Sequence, residues 1–457
     1  MSSAAHPSYA LSNAMSVAGA RTTVARAQAS AGEQTQPRSW LDRWLIFLPM
    51  IAVTVLAKAA VPPLGEMGIG LAVASAFGVI VMQAMRGALA VFPLRLATFL
   101  LVMVISLGLP VLHGEQFSLP SVAMLVVLFL PFACYFPETR VTFDDALGVL
   151  LGLCKLVAVL GIAQYALQFF LPHEWLFPID YYVPSSFRVA FYANEGPLAY
   201  GSALYRSSGV VMLEPSVYSQ FMAVGIIAEL STRNRFTHAL LYLAALVVSY
   251  SGTGIMALAL ALPVLILSQR RWDLLIFIGV VAALIAVLSP YLNLDIFLAR
   301  SGELSSESTG SSGYARFVGG FFTFNEYSQG SLYHTLFGHG PGSARALIEH
   351  SPFFTAEMTL FKSLLELGVV GSFLFLGYVM WAIFDNSAPL PLKFILAVIF
   401  FLGGTFTPLF HGLAFGLLVW PRANSNSWAK LPNIKRQTNS GMAPMHTNES
   451  VWTGALS

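Results

Sequence analysis

ALGVLLGLCKLVAVLGIAQYALQFFL, residues 146 to 171, decides the fold, because it carries one charge, Lys155, along its whole length. Coiled as a helix at about 1.5 Å per residue, such a run exceeds the roughly 30 Å hydrocarbon core of a bilayer. Similar runs lie on both sides of it: Trp44–Val61, Leu64–Met85, Leu94–Leu112, Leu119–Phe136, Pro215–Leu230, Phe236–Tyr250, Gly254–Ser268, Leu274–Leu292 and Met358–Phe384. The last block, Leu392 to Trp420, is interrupted by Gly403-Gly404 and Pro408 and reads as a hairpin of two short helices. The expectation is an all-α, polytopic integral membrane protein with about 11–12 transmembrane helices. Residues 44–420 then form the membrane domain, between a polar 1–43 tail and a polar 421–457 tail.

Composition agrees. The chain has 457 residues, 56% hydrophobic and only 10% charged, against about 25% charged in soluble domains. The net charge of +2 is scattered among connections, which argues against nucleic acid as a partner. Cys134 and Cys154 lie inside apolar runs without C-x-x-C spacing, so they read as free core thiols. Residues 1–39 are rich in Ala, Ser and Arg and hold no signal-peptide core. They read as a disordered cytoplasmic tail in preference to an organellar transit peptide. No H-E-x-x-H, Walker A or carboxylate cluster is present, so catalysis is expected to need neither metal nor cofactor.

Charge sets the orientation. One set of short connections holds Arg86, Arg95, Arg140, Arg233, Arg235, Arg270, Arg271 and Lys393, whereas the opposite set holds Glu66, His113 and Glu115. The positive-inside rule puts the first set in the cytoplasm. Two long connections, 172–214 and 289–357, then face outward, and segments this long are usually functional. The first is crowded with rings, among them Trp175, Phe177, Tyr181, Tyr182, Phe191, Tyr192, Tyr200 and Tyr205. The second has a Ser/Gly stretch from Gly302 to Gly313 and then Tyr314, Phe317, Phe321, Phe322, Phe324, Tyr327 and Tyr333.

Aromatic faces stack on sugar rings, and guanidinium forks grip diphosphates. Arg206, Arg316 and Arg345 lie near Gly209, Gly313 and Gly342, where a ligand can approach the backbone. Such a surface suits a polyprenyl-diphosphate-linked glycan. The segment from Arg206 to Tyr218 (RSSGVVMLEPSVY) resembles the loop-to-helix entry of the O-antigen polymerase and ligase family. LFGHGPGS, Leu336 to Ser343, with LELGVVG, Leu365 to Gly371, resembles its second signature. Arg316 stands where that family carries a second loop arginine, and Ser249 to Gly254 (SYSGTG) is similar to its mid-chain serine motif without the arginine often found there.

The resemblance implies glycosyl transfer at the outer face of a bacterial inner membrane, on undecaprenyl-diphosphate-linked oligosaccharide. Arg206 and Arg316 would meet on the leaving diphosphate, Arg345 with Gly338, Gly340 and Gly342 would bind substrate, and Glu214, Glu357, His339 or His350 would serve as base, Glu214 first. A chain-length regulator and a flippase are the implied partners. Glu357 stands where ligases typically carry histidine, which favours a polymerase over a ligase. A lipid-linked oligosaccharide flippase is the alternative of another class. Plain structural readings stand beside these: headgroup-facing arginines, a glycine turn before a helix, Glu214-Pro215 as a helix start, and Lys155 in an intramembrane pair.

Overall fold

A computed structural model describes residues 40–62, 70–114, 117–136, 141–190, 195–198, 202–288, 311–404 and 407–421. Residues 1–39 and 422–457, Glu66, Glu115, Arg140, Phe191, Tyr192, Tyr200 and the stretch 302–310 lie outside the described residues. The chain is mostly helical. Its first helices are α1 (Trp40–Val55), α2 (Leu71–Met85), α3 (Pro93–Leu112), α4 (Leu119–Phe129) and α5 (Phe143–Leu167). After two short turns, α6 (His173–Leu176) and α7 (Pro178–Tyr182), come α8 (Pro215–Ala228), α9 (Phe236–Val247), α10 (Gly252–Gln269) and α11 (Asp273–Leu288). The second long connection carries α12 (Ser312–Phe317), α13 (Gly319–Ser328), α14 (Leu332–Phe337) and α15 (Ser343–His350). It leads into α16 (Thr359–Phe384), α17 (Leu390–Leu402) and α18 (Pro408–Leu413), the last continued by a π-helical turn, Ala414–Val419.

Helix starts follow the sequence. Proline opens α3, α8 and α18, where its missing N–H is harmless. Thr142 caps α5, accepting from the Asp145 N–H at 3.2 Å, while Asp145 accepts from the Thr142 N–H at 3.1 Å. The hairpin expected between Leu392 and Trp420 is present, with α17 and α18 parted at Gly403.

Among the described residues, four helices, α3, α5, α10 and α16, are long and apolar enough to cross a membrane. The remaining apolar helices among the described residues have 10–17 residues, reach at most about 26 Å and are shorter than the apolar runs that contain them. The run Leu119–Phe136 shows why. Pro131 has no N–H with which to continue the helix, so α4 gives way to a 3-10 turn, Leu130–Ala133, and then to β2 (Cys134–Tyr135). That strand pairs antiparallel with β1 (Ala90–Val91), Ala90 opposite Tyr135.

The connections sort into two ends. At one, β1 pairs with β2, Gln269 donates to the Ser231 carbonyl, Arg271 to Asn234, and Arg95 to Asp385 at 2.6 Å. At the other, Lys58 donates to Asp180 at 2.8 Å, the Ser207 N–H to the Val248 carbonyl, Ser118 to Pro341, and Thr359 to Gly403. Because α18 runs antiparallel to α1, with Gly412 on Val53 and Gly416 on Met50, the Gly403 turn lies beside the end of α1. Both long connections therefore share one end of the bundle.

Three charges sit differently from expectation. Arg95 is not in a loop but buried in the first turn of α3, its guanidinium 4.4 Å from the Phe92 ring centre. Lys393 is buried in α17 and donates to the Phe384 carbonyl at 3.0 Å and to that of Asn386. Lys58, read as part of the first span, lies past the end of α1 and joins the other end of the bundle through Asp180.

Aromatic packing fills the centre, where Phe129, Phe132 and Phe410 meet His411 and Phe375 and Phe400 pack on Phe129. Cys134 and Cys154 are buried free thiols. Large apolar side chains also point outward, including Val104, Ile276, Val280, Val287 and Phe373, each more than 60% exposed. A water-facing surface rarely carries so many.

Candidate functional site

Two pairs of segments interlock at the end bearing the long connections. In the first pair, the glycine-rich turn docks on a break in α16. Gly368 has φ +64 and ψ −173, outside helical values, so the carbonyls just before it lose their intrahelical partners. The His339 N–H donates to the Leu365 carbonyl at 3.0 Å and the Gly340 N–H to that of Glu366 at 2.9 Å. Backbone approach is so close that a Cβ on Gly338 would stand 2.5 Å from the Glu366 carbonyl and the Gly368 nitrogen. Gly342 lies against Ser118 and Ser121, and the Ser118 N–H donates to the Pro341 carbonyl at 2.9 Å.

Gly338, Gly340 and Gly342, the glycines expected at the substrate, stand in this docked turn. The Gly338, His339, Gly340 and Ser343 N–H groups donate to the His334, Leu365, Glu366 and Gly340 carbonyls. Beneath the break lies a buried charge group that the sequence reading passed over. Lys362 contacts Glu366 at 3.2 Å and Glu357 at 2.8 Å. Lys362 and Glu366 are buried, and Glu357 is exposed.

In the second pair, the arginine segment packs on the serine motif through α5. The Gln164 Oε1 accepts from the Ser207 hydroxyl, the Ser208 N–H and the Val210 N–H at 3.0–3.2 Å. This holds consecutive left-handed residues, Gly209 and Val210, at φ +67 and +66. For β-branched Val210 that conformation is strained by about 1–3 kcal/mol. Ser219 of α8 accepts from the Gly254 N–H at 3.1 Å, and Thr253 donates to the Ser216 carbonyl at 3.3 Å. Gly254 is thereby pressed onto the α8 backbone, the close approach that small residues permit between apolar helices.

Arg206 extends from this second pair. Its N–H donates to the Gly196 carbonyl at 3.0 Å, and its guanidinium reaches the Leu198 carbonyl at 3.4 Å. Next to it, Tyr205 lies against His173, ring centres 4.1 Å apart, and His173 Nε2 is 3.0 Å from Glu195 Oε2. Phe177 and Tyr181 complete the ring cluster. Partial desolvation, followed by Glu195 and Glu174, holds the Tyr181 phenol above its ordinary range, so it remains a donor.

Arg316 sits half-buried in the last turn of α12. Its neighbours are different: the Ala315 carbonyl accepts from Ala356, and Gly319 abuts the Phe354 carbonyl. The described contacts thus give Arg206 and Arg316 separate surroundings at the same end of the bundle.

The other expected residues are distributed as follows. Glu214 caps α8 with its backbone and accepts from the Ser216 hydroxyl at 2.9 Å, half-buried. His339 stacks on His334, centres 4.1 Å apart, and its Nε2 faces the Tyr327 carbonyl at 3.3 Å. Burial, then Glu326, raises the Tyr327 phenol above its usual range. His350 bonds its own helix at Ala346, and exposed Arg345 pairs with Glu349 at 2.9 Å. Lys155 is half-buried within α5. Among the described residues, no group of three or more His, Cys, Asp or Glu side chains is arranged to hold a metal ion.

Two groups escaped the sequence reading. Lys362 and Glu366 could have been found as opposite charges four apart inside an apolar run. The His173–Glu195 contact joins residues with no shared motif, and nothing in the sequence marks it. Comparison with protein-family models, curated proteins and solved structures gave no match.

Proposed function

We propose that this chain is a polytopic membrane glycosyltransferase that polymerises lipid-diphosphate-linked oligosaccharide repeat units into a surface polysaccharide. It works at the outer face of a bacterial inner membrane, with undecaprenyl diphosphate as leaving group. The observation that carries the reading is the pairing of segments. The four stretches that resemble the O-antigen polymerase and ligase family interlock two by two at one end of the bundle, and the arginines 206 and 316 flank them. The opposite end holds Arg86, Arg233, Arg235, Arg270 and Arg271, as cytoplasmic connections do.

A hydroxyl of one repeat unit attacks the anomeric carbon of the growing chain, and negative charge develops on the departing diphosphate. Fixed guanidinium groups stabilise that charge, and losing one such donor costs about 10²–10³ in rate. Glu357, at the ligase histidine's position, is bound to Lys362, which favours polymerase over ligase. The test is deletion followed by size analysis of the cell's polysaccharide, with Arg206→Ala and Arg316→Ala complementation. Single repeat units in place of long chains are expected. Unchanged chain lengths with both variants refute the reading.

A further inference from the structure

Beyond the arginines, the proposed transfer needs a group to take the proton from the attacking hydroxyl. The residues first considered for it are engaged elsewhere: Glu214 with Ser216, Glu357 with Lys362, His339 in its stack on His334, and His350 with its own helix. We infer that Glu195, oriented by His173, is the acid–base group of the acceptor site, with Trp175 and Tyr182 as its sugar platform. The inference rests on the glycosyltransferase reading.

Position argues for it first. Glu195 precedes Gly196, whose carbonyl accepts the Arg206 N–H at 3.0 Å and where an added Cβ would stand 3.9 Å from the Arg206 Cδ. A carboxylate and a guanidinium are thus delivered from adjoining backbone, as a proton acceptor beside a diphosphate binder requires. Accessibility argues for it second. The Glu195 side chain is 36% exposed and His173 25%, so an acceptor sugar can reach the carboxylate while the imidazole stays behind it.

Orientation is the third argument. His173 Nε2 lies 3.0 Å from Glu195 Oε2, while Nδ1 is buried with no hydrogen-bond partner among the described residues. Tyr205, Phe177 and Tyr181 fix the ring from its sides. The imidazole, with its proton on Nε2, therefore donates to Oε2 and leaves Oε1 to face the acceptor. Trp175 and Tyr182, from the same two short helices as His173 and Tyr181, are exposed with ring centres 6.4 Å apart and offer apolar faces to a sugar ring.

The step balances. Glu195 takes the hydroxyl proton, the oxygen's electron pair forms the new bond to the anomeric carbon, and the carbon–oxygen bond to diphosphate breaks. Its electron pair leaves with the lipid diphosphate, and the proton returns from Glu195 to solvent. His173 touches no reacting atom and is a positioning residue.

The experiment uses full-length protein in liposomes and undecaprenyl-diphosphate-linked oligosaccharide extracted from cells deleted for this chain. Chain elongation is read on gels across a pH series. Glu195→Gln is expected to slow elongation about 10²–10⁴-fold and Glu195→Ala to recover with added formate. His173→Asn is expected to move the pH profile while Glu195→Asp retains partial activity. Elongation by Glu195→Gln within threefold of wild type, with Arg206→Ala inactive, overturns the inference and spares the transferase reading. No elongation by the wild-type protein overturns both.

Discussion

Replacing Glu366 with Gln removes the more deeply buried of the two carboxylates that hold Lys362. Lys362 is 6% exposed and Glu366 3%, so solvent screens their 3.2 Å contact weakly. At an effective dielectric near 20 the attraction is about 5 kcal/mol, and desolvation of both ions offsets much of it. Breaking such a pair from one side costs about 3–5 kcal/mol, because the remaining ion stays buried. Glu357 moderates the loss, but its side chain is 41% exposed and screened accordingly. Glu366→Gln should therefore cost about 3 kcal/mol. Lys362→Met should cost at least as much, since it strands Glu366. The double variant should fall within about 1.5 kcal/mol of wild type, because replacing a whole buried pair is often neutral. Denaturant unfolding of the detergent-solubilised protein, arranged as a double-mutant cycle, measures all three. Single losses below about 1 kcal/mol, or losses that add in the double variant, would refute the description of a desolvated pair.

Gly338→Ala should lose roughly 3 kcal/mol or more, since its backbone conformation excludes a Cβ that would also overlap α16, while Gly330→Ala, at φ +83 in open space, should lose only about 1; thermal unfolding compares the two. Gln164→Leu deprives Ser207, Ser208 and Val210 of their shared acceptor and should destabilise by about 2 kcal/mol or more, read by unfolding and by protease cleavage of 202–214. Val280→Arg, on the outward face of α11, should disfavour membrane insertion by about 2.5–3.5 kcal/mol, measured by glycosylation mapping of the inserted fraction. Arg345→Ala should leave elongation unchanged where Arg206→Ala abolishes it, because Arg345 makes a solvent-exposed pair within one helix turn.

The helical class was legible because 3.6-residue periodicity matters little when a helix is apolar all round; length without charge was enough, as in Phe143–Leu167. Helix ends were less legible. The Gly403 break was visible and Pro131 was passed over, whereas the early stops of α1 at Val55 and α9 at Val247 coincide with tertiary hydrogen bonds such as Lys58–Asp180 and Ser207–Val248. Which backbone the motif glycines meet was not legible either. By sequence Gly338 fits a phosphate cradle or a turn before a helix, and its approach to the main chain at Glu366 and Gly368 shows only in three dimensions. Charges were placed by counting along the chain, so Arg95 and Lys393 appeared as loop residues until their partners Asp385 and Phe384 came into view.

The dock between the 338–342 turn and the break in α16 also limits how this protein can be recombined with others. A graft that imports a foreign connecting segment but keeps the resident α16 would bring together halves never shaped for each other, and side-chain repacking cannot relieve a collision between main chains. Only an exchange that carries residues 336 through 371 as one cassette preserves the match. Any property resident in that connecting segment is, for the same reason, heritable only together with the helix that follows it.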